Sequence, residues 1–464
     1  MMIPAGYAYF GSGYNWEPFL IASAITSFVA LLMIFATHHP RNKISLGTRE
    51  AFLLTVVSWV FIIVFAALPF LFDNHPLPFT DAIFEATSAL TTTGATIFTH
   101  LERIHPSILL WRALLQWLGG IGIIVMALTI FPILRIGGMQ LFRAESSDKS
   151  EKILPRVSQI AKAILGIQAC LTVLFTISLC SAGLNIFDAL CHAMAALTTG
   201  GLSTSDLSMA AFSNPLAEFI VMLAMFVGSC TLTLFIRMWH GDWRAFVRDP
   251  QIRGLCLLIA TSAALMSLWR LWHTPEATFI DIIRESFFTA LSIISTTGLT
   301  VADYSTWGDF ILVMVLLLPF IGGCTGSTTG GIKIFRIQVV WTVLKNQIAQ
   351  LRHPHGVFLP HYNKQVLSDG VVNSVFTFVC LFGITYGLLI VLLGLTGLDV
   401  LTNISAAAAA ITNTGIGIGP IIGPNGSYSP LPDAAKWVLM GGMLMGRLEL
   451  MAIFILFSRK FWHH

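Results

Sequence analysis

Apolar and polar positions alternate along this chain in blocks far longer than a strand or the stripe of a surface helix. Nine apolar runs reach the roughly 20 residues that a helix needs to cross a bilayer. They cover residues 18–37, 51–72, 107–134, 163–184, 216–238, 254–272, 310 to about 336, 371–394 and 434–457. After the first, the runs fall into four pairs. Within each pair lies a short amphipathic segment that begins near an acid, Asp81, Asp188, Asp281 or Asp399, and closes on a Thr/Gly loop. The loops read TTTGAT (91–96), TTGGLST (198–204), STTGLT (295–300) and TNTGIG (412–417). With Gly94, Gly201, Gly298 and Gly415 taken as equivalent, they recur at intervals of 107, 97 and 117 residues.

Each short segment is too short to cross, so it enters the bilayer as a half-helix and stops. An Asp at its start suits an N-cap and the positive end of the helix dipole, and capping accounts for the four acids without an ion-binding role. The expected fold is an all-α integral membrane protein: four tandem span–pore-helix–span repeats around a central pore, plus one leading transmembrane helix. The leading helix and a basic loop take residues 1–50, and the repeats take 51–162, 163–253, 254–370 and 371–464. The run GGIGI at 119–123 gives the second span of the first repeat a small-residue face for close packing.

Irregular backbone at membrane depth is tolerated only where protein or a water-filled cavity satisfies it. Four such loops from four equivalent hairpins therefore meet on a shared axis. Glycine lets a carbonyl turn inward where a Cβ would obstruct, threonine adds a hydroxyl, and a ring of carbonyl oxygens can replace the hydration shell of an alkali cation. The half-helices would aim their partially negative C-terminal ends at the ion path. One Thr-Thr-Gly is a common loop tripeptide; four copies, each after a half-helix between two spans, specify a pore.

Composition agrees. Of 464 residues 55% are hydrophobic and 11% charged, mean hydropathy is +0.79, and there are 34 Phe and 12 Trp. The net charge of +3 gives no reason to expect nucleic acid as a partner. The seven cysteines (170, 180, 191, 230, 256, 324 and 380) lie in or beside apolar runs without metal-ligand spacing, as small apolar fillers do. No small-residue cleavage site follows the first apolar run, so it reads as a retained helix. Of 26 Lys and Arg, 20 fall on one side: Arg41, Lys43 and Arg49, then six in 135–162, four in 237–253, five in 333–364, and Arg459 with Lys460. The positive-inside rule makes that side cytoplasmic. The Thr/Gly loops then open outward, the C-terminus is cytoplasmic and the N-terminus lies outside.

Two features break the repeat. The second span of the third repeat is interrupted by GGCTGSTTGG, residues 322–331. Five glycines in ten positions make a poor helix interior, at about 1 kcal/mol each relative to Ala. The segment lacks the lysine and hydroxyl spacing of a phosphate-binding loop. It is either a flexible intramembrane loop beneath the filter or a kink for packing; its buried Thr and Ser, which need polar partners at that depth, favour the loop. Arg447 is the second feature. An arginine well inside a span is expensive and usually functional, and Glu449, two residues on, faces another way. Arg447 either faces the pore as an electrostatic barrier to cations in contact with the 322–331 loop, or snorkels toward the cytoplasmic interface. Arg112 and Gln116, one turn apart, are expected to brace a pore helix. His192 is expected to pack or hydrogen-bond, and His463 with His464 is too little for a metal site.

The residues also carry a family resemblance: FEATSALTTTGAT (84–96), WLGGIGIIV (117–125), PILRIGGMQL (132–141), FIGGCTGSTTGGIK (320–333) and GRLEL (446–450). Over nearly the whole chain the pattern resembles the Trk/Ktr/HKT superfamily of cation uptake proteins, in particular the Trk-type (TrkH-like) potassium uptake membrane subunit of bacteria. The resemblance implies a protein of the bacterial inner membrane in which potassium, the transported ion, is coordinated by Thr92, Thr93 and Gly94, Thr199, Gly200 and Gly201, Thr296, Thr297 and Gly298, and Asn413, Thr414 and Gly415. It implies a gate formed by Gly322, Gly323, Thr325, Gly326, Ser327, Thr328, Thr329, Gly330 and Gly331 with Arg447. In related proteins a Ser at a filter glycine goes with sodium permeation; four glycines here favour potassium. The resemblance further implies a homodimer, each protomer with its own pore, on a tetrameric cytoplasmic ring that binds NAD and adenine nucleotides (a TrkA-type subunit). The segment 345–364 is a candidate contact for that ring or a phospholipid-facing charge strip. The cytoplasmic loops carry no nucleotide fingerprint, and GIGIG at 415–419 lacks the strand and helix context of one. The family usually has ten spans led by an extra hairpin; here one helix precedes the first repeat, so this member lacks the first helix or the chain starts late.

Rival classes fit less well. A secondary transporter predicts inverted repeats and acids in the spans, whereas these repeats run in parallel sense through spans nearly free of Asp and Glu. An intramembrane enzyme needs a Ser/His pair, an HExxH or an Asp pair within spans, and none occurs. A less selective potassium/sodium or ion-coupled transporter of the same superfamily remains the alternative.

Overall fold

Long runs of Leu, Ile, Val, Phe and Ala can satisfy their main chain in lipid only as helices, and the computed structural model, which describes residues 1–11, 15–37, 48–129, 157–239, 241–273, 278–363 and 365–462, is built from them. Among the described residues, six helices are long and apolar enough to cross a membrane. The leading helix Glu17–Thr37 is one, preceded by a short helix, Met2–Gly11, that the apolar pattern did not predict. The first spans of the four repeats are Thr48–Leu71, Val157–Ser181, Pro250–His273 and Asp369–Gly394. The sixth is Pro106–Thr129, the second span of the first repeat. Outward-facing Phe28, Leu31 and Phe35 of the leading helix stay exposed, as a lipid-facing surface requires.

The other three second spans are not the continuous helices expected. In the second repeat Pro215–Ser229 and Leu232–Met238 meet at a 98° bend, and in the fourth Asp433–Arg447 and Leu450–Phe457 meet at 112°. At the second break Glu449 takes a positive φ of 62°, which no helix continues through. In the third repeat Asp309–Leu317 and a 3-10 turn, Leu318–Phe320, run into the 322–331 loop, and the chain resumes as Ile334–Arg352. A two-residue ladder, His361–Tyr362 with Gln365–Val366, is the sole β pairing among the described residues. The expected extension of the third apolar run beyond residue 129, the 132–141 motif, the basic stretch to Arg156, and Arg41, Lys43, Lys364, His463 and His464 lie outside the described residues.

The half-helices form as expected: Phe79–Leu90, Ile186–Leu197, Phe279–Ile294 and Val400–Thr412. At 1.5 Å per residue each is about 18–24 Å long, short of the ~30 Å hydrocarbon layer. Their last turns are buried throughout. The capping expectation needs correction. Asp399 alone caps its helix, accepting from Thr402 N–H; the caps of the others are Pro78, Asn185 and Thr278. Asp81, Asp188 and Asp281 sit three residues further in, where a carboxylate still complements the dipole. That offset explains why Asp399 stands 16 residues from its glycine where Asp81 and Asp188 stand 13, and the extra turn of Phe279–Ile294 explains the 17 from Asp281.

Close packing depends on small residues. A Cβ on Gly119, Gly228 or Gly446 would lie 1.8, 2.5 and 2.2 Å from the carbonyl oxygens of Leu90, Leu197 and Ile411. The second spans of the first, second and fourth repeats thus rest directly on the last turn of their own pore helices. The repeats are then tied to one another around the outer side. Lys436 pairs with Asp81 at 2.6 Å and Arg284 with Glu218 at 3.2 Å, joining the fourth repeat to the first and the third to the second. Arg112 donates to Ser203 O across the first and second, and Tyr304 to Gly417 O across the third and fourth.

Candidate functional site

All four pore helices end alike. Thr92, Thr199, Thr296 and Asn413 adopt left-handed backbone with φ of 52, 50, 54 and 53°. Their N–H groups bond back to Ala89, Ala196, Ile293 and Ala410, and the next N–H groups to Ser88, Ala195, Ser292 and Ala409. These paired bonds satisfy the helices' last carbonyls and turn the chain toward the molecular axis. Left-handed backbone costs an L-residue about 1–2 kcal/mol, and three of the four are β-branched threonines, for which it is an outlier. Strain of this kind clusters at functional sites, and here it recurs at one structural position in all four repeats.

Two residues later the loops interlock. A Cβ on Gly94 would stand 2.4 Å from Gly200 O, on Gly201 1.8 Å from Thr297 O, on Gly298 2.3 Å from Thr414 O, and on Gly415 2.1 Å from Thr93 O. Each glycine abuts the carbonyl that precedes the next repeat's glycine, and the fourth returns to the first. The four segments form one closed ring. All four glycines have φ between 75 and 85°, so a side chain is barred twice, by the neighbouring carbonyl and by its own backbone.

Hydroxyls stiffen three of the loops: Thr91 with Thr93 at 2.8 Å, Ser295 with Thr297 at 2.7 Å and Thr412 with Thr414 at 2.9 Å. The second loop has Gly200 at this place. A Cβ there would fall 2.2 Å from Gln116 Oε1, which accepts from Leu202 N–H at 3.0 Å. Gln116 holds from outside what the hydroxyl pair holds from within, and the sequence expectation of a bracing role fits this contact. Arg112 braces likewise: buried with Glu85 at 2.7 Å, it donates to Thr96 Oγ1 and Ser203 O. Glu85 also accepts from Ile97 N–H, so one pore-helix carboxylate gathers the exit of its own loop. His192 bridges Asp188 O and Ser203 Oγ.

On the outward side the ring opens into a cavity of about 100 Å³ that Gly94, Gly201, Gly298 and Gly415 all line. At its rim Ser205 donates to Glu102 at 2.6 Å, a bond that holds the Glu102 carboxyl below the usual carboxylate range. On the inward side lies the 322–331 loop, buried throughout. Gly330 N–H donates to Thr296 Oγ1 at 2.8 Å, and the Thr328 hydroxyl meets that of Thr199 at 3.1 Å. The loop is thus fastened to the left-handed residues of the second and third pore helices. Its flank is pinned by Cys324 N–H on Ser229 O, Thr231 on Thr325 O, and Thr325 N–H on Gln251. From the other side Arg447, 3% exposed, donates through Nη1 to Thr328 O at 2.5 Å.

The family of cation transport proteins described as TrkH matches residues 17–464. The chain belongs to this family. The Trk system potassium uptake protein TrkI of Halomonas elongata is 43% identical over 424 residues, covering 91% of this chain and 86% of the relative. The Trk system potassium uptake protein TrkH of Escherichia coli is 34% identical over 443 residues, covering 94% and 91%. The crystal structure of the potassium transporter TrkH from Vibrio parahaemolyticus superposes with a TM-score of 0.91 at 32% identity, over 99% of this chain and 95% of that one.

Within this TrkH-family chain several contacts of the site were not anticipated. Arg336, counted by sequence among the cytoplasmic basic residues, is buried and pairs with Glu449 at 2.8 Å across the third and fourth repeats. This is the partner that Glu449 lacks on its own helix. Lys333 is also no loop-surface cation: its ammonium turns back onto Thr329 O and Oγ1. Asn413 reaches from the fourth loop to Thr93 Oγ1 at 3.0 Å and Met443 O at 2.9 Å. The signal available in the sequence was the substitution of Asn for Thr at one of four equivalent positions.

Proposed function

We propose that this TrkH-family protein takes up potassium across the bacterial inner membrane through a channel-like pore whose filter is the ring of Thr/Gly loops. In this reading the ion meets the main-chain oxygens of Thr92, Thr93 and Gly94, Thr199, Gly200 and Gly201, Thr296, Thr297 and Gly298, and Asn413, Thr414 and Gly415. The observation that carries it is the closed contact of each ring glycine with the carbonyl of the next repeat. A dehydrated alkali cation needs several oxygens at fixed radius, and interlocked loops hold that radius without reorganisation. Four converging helix C-termini add partial negative charge around the same point. The names of the relatives, potassium uptake proteins of the Trk system, support potassium as the ion.

The 322–331 loop and Arg447 are read as the gate. A buried guanidinium beneath the ring repels an entering cation, and the loop fills the path while its hydroxyls hold the filter helices. Opening requires the loop to leave Thr199, Thr296 and Arg447. The chain's membership of a Trk system supports control by a separate cytoplasmic subunit, read here as a nucleotide-binding ring beneath a homodimer.

The test is rubidium flux into proteoliposomes containing the full chain. Replacing residues 322–331 by a short helical segment is expected to raise flux while rubidium remains preferred over sodium. Unchanged flux would sink the gate. Changing Gly94 to Ser is expected to reduce the preference for rubidium over sodium; an unchanged preference would sink the filter.

A further inference from the structure

The ring has a seam. Three of its junctions join repeats consecutive in the chain, while the fourth brings Gly415 of the last repeat back to Thr93 of the first. Tyr428 spans that seam on the outward side and reaches a ring glycine. Tyr428, 3% exposed, lays its ring on Phe84 of the first pore helix at 5.5 Å. Its own N–H donates to Thr96 O of the first loop at 2.9 Å, as does the hydroxyl of Ser427 at 3.2 Å. Its phenol then donates to the carbonyl of Gly415 itself, at 3.0 Å. Among the described residues the carbonyls of Gly94, Gly201 and Gly298 accept no hydrogen bond. The outermost layer of the ring is therefore chemically unequal.

We propose that Tyr428 is a specificity-determining residue, its hydroxyl holding the fourth ring carbonyl at a fixed radius and lowering that oxygen's field strength toward the ion. This rests on the reading of the ring as a potassium filter. Discrimination between potassium and sodium depends on how many carbonyl dipoles surround the ion, how strongly they act and how far they can follow it inward. A carbonyl that shares a lone pair with a phenol is a weaker ligand. One tethered through that phenol to the first pore helix cannot close on a smaller ion. Both effects disfavour sodium. The second buried tyrosine of the outer mouth provides the contrast: Tyr304 donates to Gly417 O at 2.9 Å, two residues beyond the ring.

The test compares the full-length wild type with Tyr428→Phe, Tyr304→Phe and Gly94→Ser in proteoliposomes, reading rubidium uptake with sodium as competitor. Tyr428→Phe keeps the ring on Phe84 and the backbone bond to Thr96, so the fold is retained. The expected result is sodium competition strengthened about threefold or more, with Tyr304→Phe at the wild-type ratio. A wild-type ratio in Tyr428→Phe alongside a shifted one in Gly94→Ser overturns the role of Tyr428 and leaves the filter standing. A wild-type ratio in both overturns the filter reading and this inference with it. An equal shift in Tyr428→Phe and Tyr304→Phe reduces both tyrosines to general bracing and also overturns the proposal.

Discussion

The four loops and the four second spans beneath them descend through the same repeat, yet one set is kept uniform and the other is not. At the ring, backbone φ values agree within about 10° in every repeat, and each glycine makes the same contact with its neighbour. Beneath it the second span is one continuous helix over the described residues of the first repeat, bent by 98° in the second, opened into a loop in the third and bent by 112° in the fourth. In the three repeats whose second span rests on its pore helix through a glycine, the residue after that glycine is Gly120, Ser229 and Arg447. Symmetry is held where a spherical ion would be surrounded from all sides. It is abandoned beneath the ring, as the proposed gate would require, because a plug and a barrier charge need one copy each.

The largest expected effect comes from breaking the uniform set. Gly201→Ala puts a Cβ 1.8 Å from Thr297 O on a backbone at φ 75°. Neither partner is a flexible side-chain end, so the ring itself must open. Rubidium uptake is expected to fall about 100-fold, equivalent to ~3 kcal/mol on the barrier. Gly441→Ala, whose Cβ would meet only Met445 at 3.9 Å, controls for expression and insertion. Uptake near wild type in Gly201→Ala would show that the ring contacts do not shape the path.

Next in size is the irregular set. Arg447→Ala removes a charge that follows a packing glycine where the first and second repeats have Gly120 and Ser229, and with it the bond to Thr328 O. Two donors of that guanidinium, Nε and Nη2, have no partner among the described residues, so the bond to Thr328 O is the one hydrogen bond lost with it there. Basal rubidium flux without any regulatory subunit is expected to rise about tenfold, or ~1.4 kcal/mol. Ion preference is expected to stay put, since the ring is untouched. A variant with unaltered flux would return Arg447 to a packing role.

This division also decides what could be read from sequence. Uniform features repeat, and repetition is visible: the loops, the half-helices and the paired runs stand at regular intervals, so the architecture could be read in order. Single-copy features are visible only when their chemistry is out of place, as with Arg447 in an apolar run or five glycines in a span. The bends were hidden because Cys230–Thr231 and Leu448–Glu449 interrupt helices without Gly or Pro, through backbone angles that no local composition announces. Pairings such as Arg336 with Glu449, 113 residues apart, and the Tyr428 bond to a main-chain oxygen depend on tertiary placement alone. The Asp caps were misjudged because a carboxylate at the cap and one three residues inside leave the same mark in sequence.

The join between the two sets is a smaller effect. Thr296 belongs to the ring helix, yet its hydroxyl accepts from Gly330 of the 322–331 loop. Thr296→Ala deletes that bond while Thr296→Ser keeps it. Flux is expected to rise about fivefold in the alanine variant, the range for losing one buried hydrogen bond of ~1 kcal/mol, and to stay near wild type in the serine variant. Equal behaviour of the two would mean that filter and loop are not coupled through this hydroxyl.

The finest test is to make the second loop obey the pattern of the other three. Gly200 stands where Thr93, Thr297 and Thr414 stand, and Gln116 Oε1 fills the space their side chains would need. Gly200→Thr alone drives its Cβ into that oxygen at 2.2 Å and releases Leu202 N–H. Gln116→Ala alone clears the space but leaves the same N–H without its acceptor. Combined, the new hydroxyl can pair with Thr198 as Thr91 pairs with Thr93, and the loop regains a brace from within. Uptake by the double variant is expected to exceed the product of the single effects by about threefold, within the coupling of residues in contact. Strictly multiplicative losses would mean that the glutamine and the missing hydroxyl are unrelated, and that the second loop departs from the others for a reason outside the ring.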